Sequence, residues 1–128
     1  MEAAIQSVHS ERTRSHGTDR VALKTLHQAL VRLAPTLGAR VALSVAISDV
    51  DGAEAGLRAL EQIEGADDFQ PAWATRAYLL AQAGQVERAR TAYARAIVLT
   101  TDAGTRTQLQ HSLDDLDRIG DLGGQHRP

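Results

Sequence analysis

A chain of 128 residues with 43% hydrophobic content is sized for one domain with its own core. It has no cysteine, which excludes disulfides, Cys-ligated zinc, iron–sulfur clusters and thiol nucleophiles together. The net charge of -2 argues against direct nucleic-acid binding, whose usual footprint is a basic surplus.

The four aromatic residues are Phe69, Trp73, Tyr78 and Tyr93, so the core must be filled mainly by Leu, Ala, Val and Ile. Ala and Leu favour helix. No apolar run approaches the ~20 residues of a membrane span. The start, "MEAAIQSVHSER", has no basic leader of the secretory kind. The reading is a cytoplasmic protein with no membrane partner, in keeping with the lack of cysteine.

Apolar residues recur at spacings of three and four almost throughout, the helical period. The first predicted helix is Glu2 to about Arg12, with Ile5 and Val8 inward, and "SHGTD" breaks it. Thr18 or Asp19 caps the second, whose inward stripe is Leu23, Leu26, Leu30 and Leu33 and which ends before Pro35. The third, about Thr36 to Val50, contains "RVALSVAI". Its β-branched content would suit a strand, but its length and Ala content favour a buried helix.

"DVDG" follows. A DG pair often marks a β-hairpin, but helical periodicity on both flanks favours a tight helix–helix connection. The fourth helix, about Ala53 to Glu64, points Leu57, Leu60 and Ile63 inward, pairs Glu54 with Arg58 outside, and stops at Gly65. Pro71 opens the fifth, which ends near Ala83. Gly84 turns the chain into the sixth, about Gln85 to Thr100. Asp102 caps the seventh, with Leu109, Leu113, Leu116 and Ile119 on one face. Residues 121–128 are expected as a flexible tail, leaving 1–120 as the domain. Charge is segregated along the chain. Residues 41–70 hold seven acids against Arg58, and 71–106 hold five Arg against Glu87 and Asp102, all read as solvated helix faces.

The stretch "PAWATRAYLLAQAGQVERARTAYARAIVLT" follows the tetratricopeptide pattern, W-x2-L-G-x2-Y then A-x3-F then P. Trp73 takes the Trp place, Leu80 the Tyr place, and Ala89 with Tyr93 the A-x3-F places; Ala96 is the next small position. Arg76 stands for Leu, Ala77 for Gly and Thr101 for Pro. A weaker copy lies 33 residues upstream, where Gly56, Leu60 and Ile63 correspond to Ala89, Tyr93 and Ala96. "TLHQALVRLAP" resembles the second helix of a further unit, with His27 at the aromatic place, a partly buried position. The predicted fold is therefore all-α. About seven helices stack as degenerate tetratricopeptide-like hairpins, and the last helix caps the open end.

Together, "EAAIQSVHSE", "LHQALVRLAP", "VDGAEAGLRAL" and "TRAYLLAQAGQVERARTAYARAIVLT" resemble one family. It is the tetratricopeptide-like C-terminal extension of a group of bacterial extracytoplasmic-function sigma factors. The likeness covers about Glu2 to Arg118. In that family the extension follows two sigma domains that bind DNA and polymerase, neither of which is expected within these residues. The chain departs from the family at polar positions. Ala42-Leu43 replace an Asn-Arg pair, "FQPAW" replaces Tyr-His and Leu-His, and Tyr78 replaces Asp after "RA".

No catalytic constellation emerges. The five His show no H-E-x-x-H pattern and no i,i+4 pair, so no metal and no cofactor is expected. His111, Ser112, Asp114 and Asp115 point in different directions on a helix and form no triad. Asp67-Asp68 and Asp114-Asp115 read as solvated surface, and there is no Gly-rich phosphate loop. In such hairpins the first helix of each unit lines the concave face. The candidate binding residues are Val41, Val45, Ser48 and Asp49 from the third helix, and Ala74, Thr75, Tyr78 and Gln82 from the fifth. Packing of helix on helix is the simpler explanation of the same residues. Two functions follow as expectations. One, implied by the resemblance, is a binding module for a protein or peptide in transcription regulation. The other is a free-standing helical protein that binds or transforms a small organic molecule in a biosynthetic pathway.

Overall fold

Breaks between helices fall where the sequence supplies a stop. The computed structural model describes residues 19–125, and within them every regular element is a helix. They are α1 (19–33), α2 (Leu37–Asp51), α3 (Ala53–Glu61), α4 (Gln70–Gln82), α5 (Val86–Leu99) and α6 (Ala103–Gln125). The helix expected over Glu2 to Arg12 lies outside the described residues. "RVALSVAI" is helical within α2, and the DG pair is a one-residue break in which Gly52 takes φ 100°. That backbone state is open to glycine and costly for other residues.

The other boundaries have local causes. Thr36 Oγ1 accepts from the Ala39 amide at 3.1 Å and starts α2. At the end of α4, Gly84 adopts φ 80°, its amide donates to Ala81 O, and the Gln85 amide donates to Leu80 O at 2.9 Å. This is a Schellman closure, which satisfies carbonyls the helix leaves open. Asp102 Oδ2 accepts from the Thr105 amide at 2.7 Å and from its hydroxyl at 2.8 Å, capping α6. One boundary differs from expectation. α6 continues to Gln125, through most of the predicted tail. Gly120, Gly123 and Gly124 lower helix propensity, but no proline follows until Pro128.

α2 packs on α3, α4 on α5 and α5 on α6, while α2 and α3 both touch α4. The larger core joins Leu57, Leu79, Leu80, Tyr93, Leu109 and Leu116 around Ala77, Ala89, Ala92 and Ala96. A smaller one joins Val41, Leu60 and Ala72 from α2, α3 and α4. A close crossing falls at Gly56. A Cβ there would sit 2.7 Å from Ser48 Cβ, 2.8 Å from Ser44 O and 3.1 Å from Leu79 Cδ1. Ser44 and Ser48 keep their buried hydroxyls satisfied by donating to Val41 O and Val45 O, each at 2.6 Å.

Two expectations are corrected. The leucine stripe of α1 does not face inward: Leu23, Leu26 and Leu30 are 50%, 52% and 42% exposed and Leu33 is 82% exposed. The less exposed face is Lys24, His27, Gln28 and Val31. Lys24 there reaches Asp51 of α2 at 2.7 Å. Periodicity marks a face fit for burial but does not name its neighbour. The Glu54–Arg58 pair is not formed among the described residues; both side chains are exposed, where such a pair contributes little.

Replacing Gly56 with alanine should destabilise the protein by about 1–3 kcal/mol through overpacking against the α2 backbone, measured by urea denaturation. A neutral effect would show that the crossing has slack. The Asp102 carboxyl is held below its ordinary 3.8 by the Thr105 amide and then its hydroxyl, against a small opposing effect of desolvation. Its cap therefore stabilises above the unfolded-state value and is lost as pH falls through the lower folded value. Asp102→Ala should lower Tm at neutral pH, and the gap from wild type should close on acidification. A gap independent of pH would rule out the carboxylate as the cause.

Candidate functional site

The predicted concave residues divide between core and surface. Val41 is buried against Leu60 and Ala72, and Ser48 is buried beneath Gly56 with its hydroxyl turned back to its own helix. Neither presents a free group to a ligand. Val45, Ala74 and Thr75 are half-buried, and Asp49 is exposed. Tyr78 and Gln82, one turn apart on α4, are exposed and joined by a hydrogen bond from Gln82 Nε2 to Tyr78 Oη at 2.7 Å.

Burial pushes the Tyr93 hydroxyl above the usual tyrosine range; a hydrogen bond with Ser112 of α6 opposes this, and Tyr78 adds to it. His111, Asp114 and Asp115 are exposed on α6, and Gln110 Nε2 donates to Asp114 at 3.1 Å. Among the described residues, no group of three or more His, Cys, Asp or Glu side chains is placed to hold a metal ion.

Of the clefts that were not expected, two lie between helices of the first five. One, of about 310 Å³, lies between α1, α2 and α3 and is lined by Val31, Arg40, Leu43, Ile47, Ala59, Gln62 and Ile63. The other, about 200 Å³, is an open furrow between α4 and α5 lined by Trp73, Arg76, Leu80, Arg88, Thr91 and Ala92. Trp73 forms its wall. The indole N–H donates to Asp67 O at 2.7 Å, and the Arg76 guanidinium stacks on the ring 4.7 Å from its centroid. Arg95 stands 6.0 Å from the same centroid and pairs with Asp68 at 3.3 Å.

A signal for this furrow was present. Arg76 occupies the place where the repeat pattern has leucine. Arg88 and Arg95, seven residues apart, fall on one helix face. What the repeat register could not give was which edge of the hairpin that face borders.

No known family matches the sequence, and no solved structure matches it. An uncharacterized protein of Rhizobium meliloti (strain 1021) is 35% identical over 117 residues, which is 91% of this chain and 28% of the relative. The chain thus spans little more than a quarter of the length of that relative. No helix among the described residues is long and apolar enough to cross a membrane.

Trp73 and Tyr78 divide between packing and surface. Trp73→Ala should cost about 2–3 kcal/mol, below the range for a fully buried ring because Trp73 is half-buried. Tyr78 is 47% exposed, so Tyr78→Ala should cost about 0.5 kcal/mol. Thermal melts of both variants decide the matter; an equal loss would put Tyr78 in the core.

Proposed function

We propose that this chain is a tetratricopeptide-like binding module that engages a protein or peptide in the cytoplasm, in a role tied to transcription, as the sigma-factor extension it resembles does. The observation that carries this reading is the α4–α5 pair. Its tight glycine closure, its buried alanines at Ala77, Ala89 and Ala96, and its Trp73 and Tyr93 are the features the repeat pattern requires of a unit. A module of this kind works through the side chains its first helices leave uncovered, here Tyr78 and Gln82.

A second reading has its own observation. The cleft between α1, α2 and α3 has mainly apolar walls and two polar groups, Arg40 and Gln62. Its volume of about 310 Å³ is at the lower edge for organic ligands. A helical protein that binds or transforms a small organic molecule would use it.

Titration of the chain with purified bacterial RNA polymerase and its sigma factors tests the first reading. Saturable binding of micromolar order, weakened at least about fivefold by Tyr78→Ala, is expected. Absence of binding to either, together with a thermal upshift by small organic acids that Ile47→Trp abolishes, would give the second reading the field.

A further inference from the structure

Arg76 is half-buried, yet it makes no hydrogen bond or ion pair among the described residues; its only recorded partner is the indole of Trp73. Stacking removes rotamer freedom from the guanidinium while leaving all its N–H donors open. Among the described residues, Arg88, across the furrow on α5, hydrogen-bonds only with the neutral Gln85, at 2.8 Å. The other cations of α4 and α5 are engaged. Arg90 pairs with Glu87 at 3.0 Å and with Asp117 at 2.7 Å, and Arg95 pairs with Asp68. The furrow therefore concentrates two uncommitted guanidiniums beside an aromatic wall and the Thr91 side chain, over a floor of Leu80 and Ala92. A stacked guanidinium and a second, exposed one across the furrow, with an apolar surface between them, match carboxylates flanking an apolar side chain.

We propose that the α4–α5 furrow binds an acidic segment of polypeptide. Its carboxylates pair with Arg76 and Arg88, and an apolar residue lies against Trp73. The proposal rests on the protein-binding reading above and names the partner's chemistry. A polypeptide fits better than a small dicarboxylate because the furrow is open and would bound a small molecule on one side only. It fits better than a nucleic acid because the furrow offers two guanidiniums, too few for a continuous run of phosphates, on a chain whose net charge is -2.

Trp73 is the only tryptophan of the chain, so its fluorescence reports the furrow directly. The probe is the acetylated, amidated peptide Glu-Glu-Leu-Glu-Glu, titrated at about 50 mM salt, where charge pairing is least screened. Its Gln-Gln-Leu-Gln-Gln counterpart and an oligo(dT) of equal charge are run alongside. The expected result is a saturable change with the Glu peptide that the Gln peptide lacks. Arg76→Gln and Arg88→Gln should each weaken it at least about fivefold, with unchanged melting temperatures. Equal binding of the Gln peptide, no response to either arginine variant, no binding at all, or tighter binding of oligo(dT) would overturn the proposal. Tyr78→Ala separates it from the reading beneath it: peptide binding should survive that change. Polymerase or sigma-factor binding that depends on Tyr78, alongside a furrow that ignores the Glu peptide, would sink the furrow alone.

Discussion

The fold depends on close backbone approach at helix crossings. At the α2–α3 crossing, Gly56 brings its backbone against Ser44 and Ser48, and Leu79 of α4 closes over the same point. At the α4–α5 crossing, Ala77, Ala89 and Ala96 are fully buried. With so few aromatic residues, the chain has little bulk with which to fill wide gaps. Short interaxial distance does that work instead, because dispersion falls steeply with separation. Tyr93 is buried between α5 and its neighbours, and Ser112 of α6 offsets part of the effect of that burial on its hydroxyl.

Charge pairs act on register more than on stability. Lys24–Asp51 joins α1 to the end of α2, Arg95–Asp68 joins α5 to the loop before α4, and Arg90–Asp117 joins α5 to α6. All are partly exposed, where a pair contributes at most about 1 kcal/mol. The Arg90 Nε and Asp117 Oδ1 atoms are 2.7 Å apart and shielded from water, although not aligned as a hydrogen bond, so their attraction is Coulombic. Each pair penalises a slipped neighbour, which matters for smooth alanine-rich surfaces that offer few interlocking side chains.

The same economy leaves polar and charged side chains uncovered at the surface. Once small residues have closed the helix pairs, larger polar side chains are not needed for packing. Tyr78, Gln82, Arg76 and Arg88 remain at the edges of α4 and α5 with few intramolecular ties. The indole of Trp73 serves both purposes, closing the hairpin on one side and forming the furrow wall on the other.

Local rules in the sequence determined the helices and their breaks. Gly52, Gly84, Thr36 and Asp102 act through their own φ angles and short-range hydrogen bonds, so their effects were legible without a neighbour. Helical spacing likewise put Ala89, Tyr93 and Ala96 on one buried face of α5, since spacing along a helix sets which residues share a face. Tertiary structure decided what each face meets. It left the Leu23–Leu33 stripe of α1 exposed, sank Val41 and Ser48 of the predicted groove into the core, and set Arg76 of α4 across a furrow from Arg88 of α5. A helical period carries angle about one axis only. The distance and rotation between two axes come from how side chains of different helices fill the space between them.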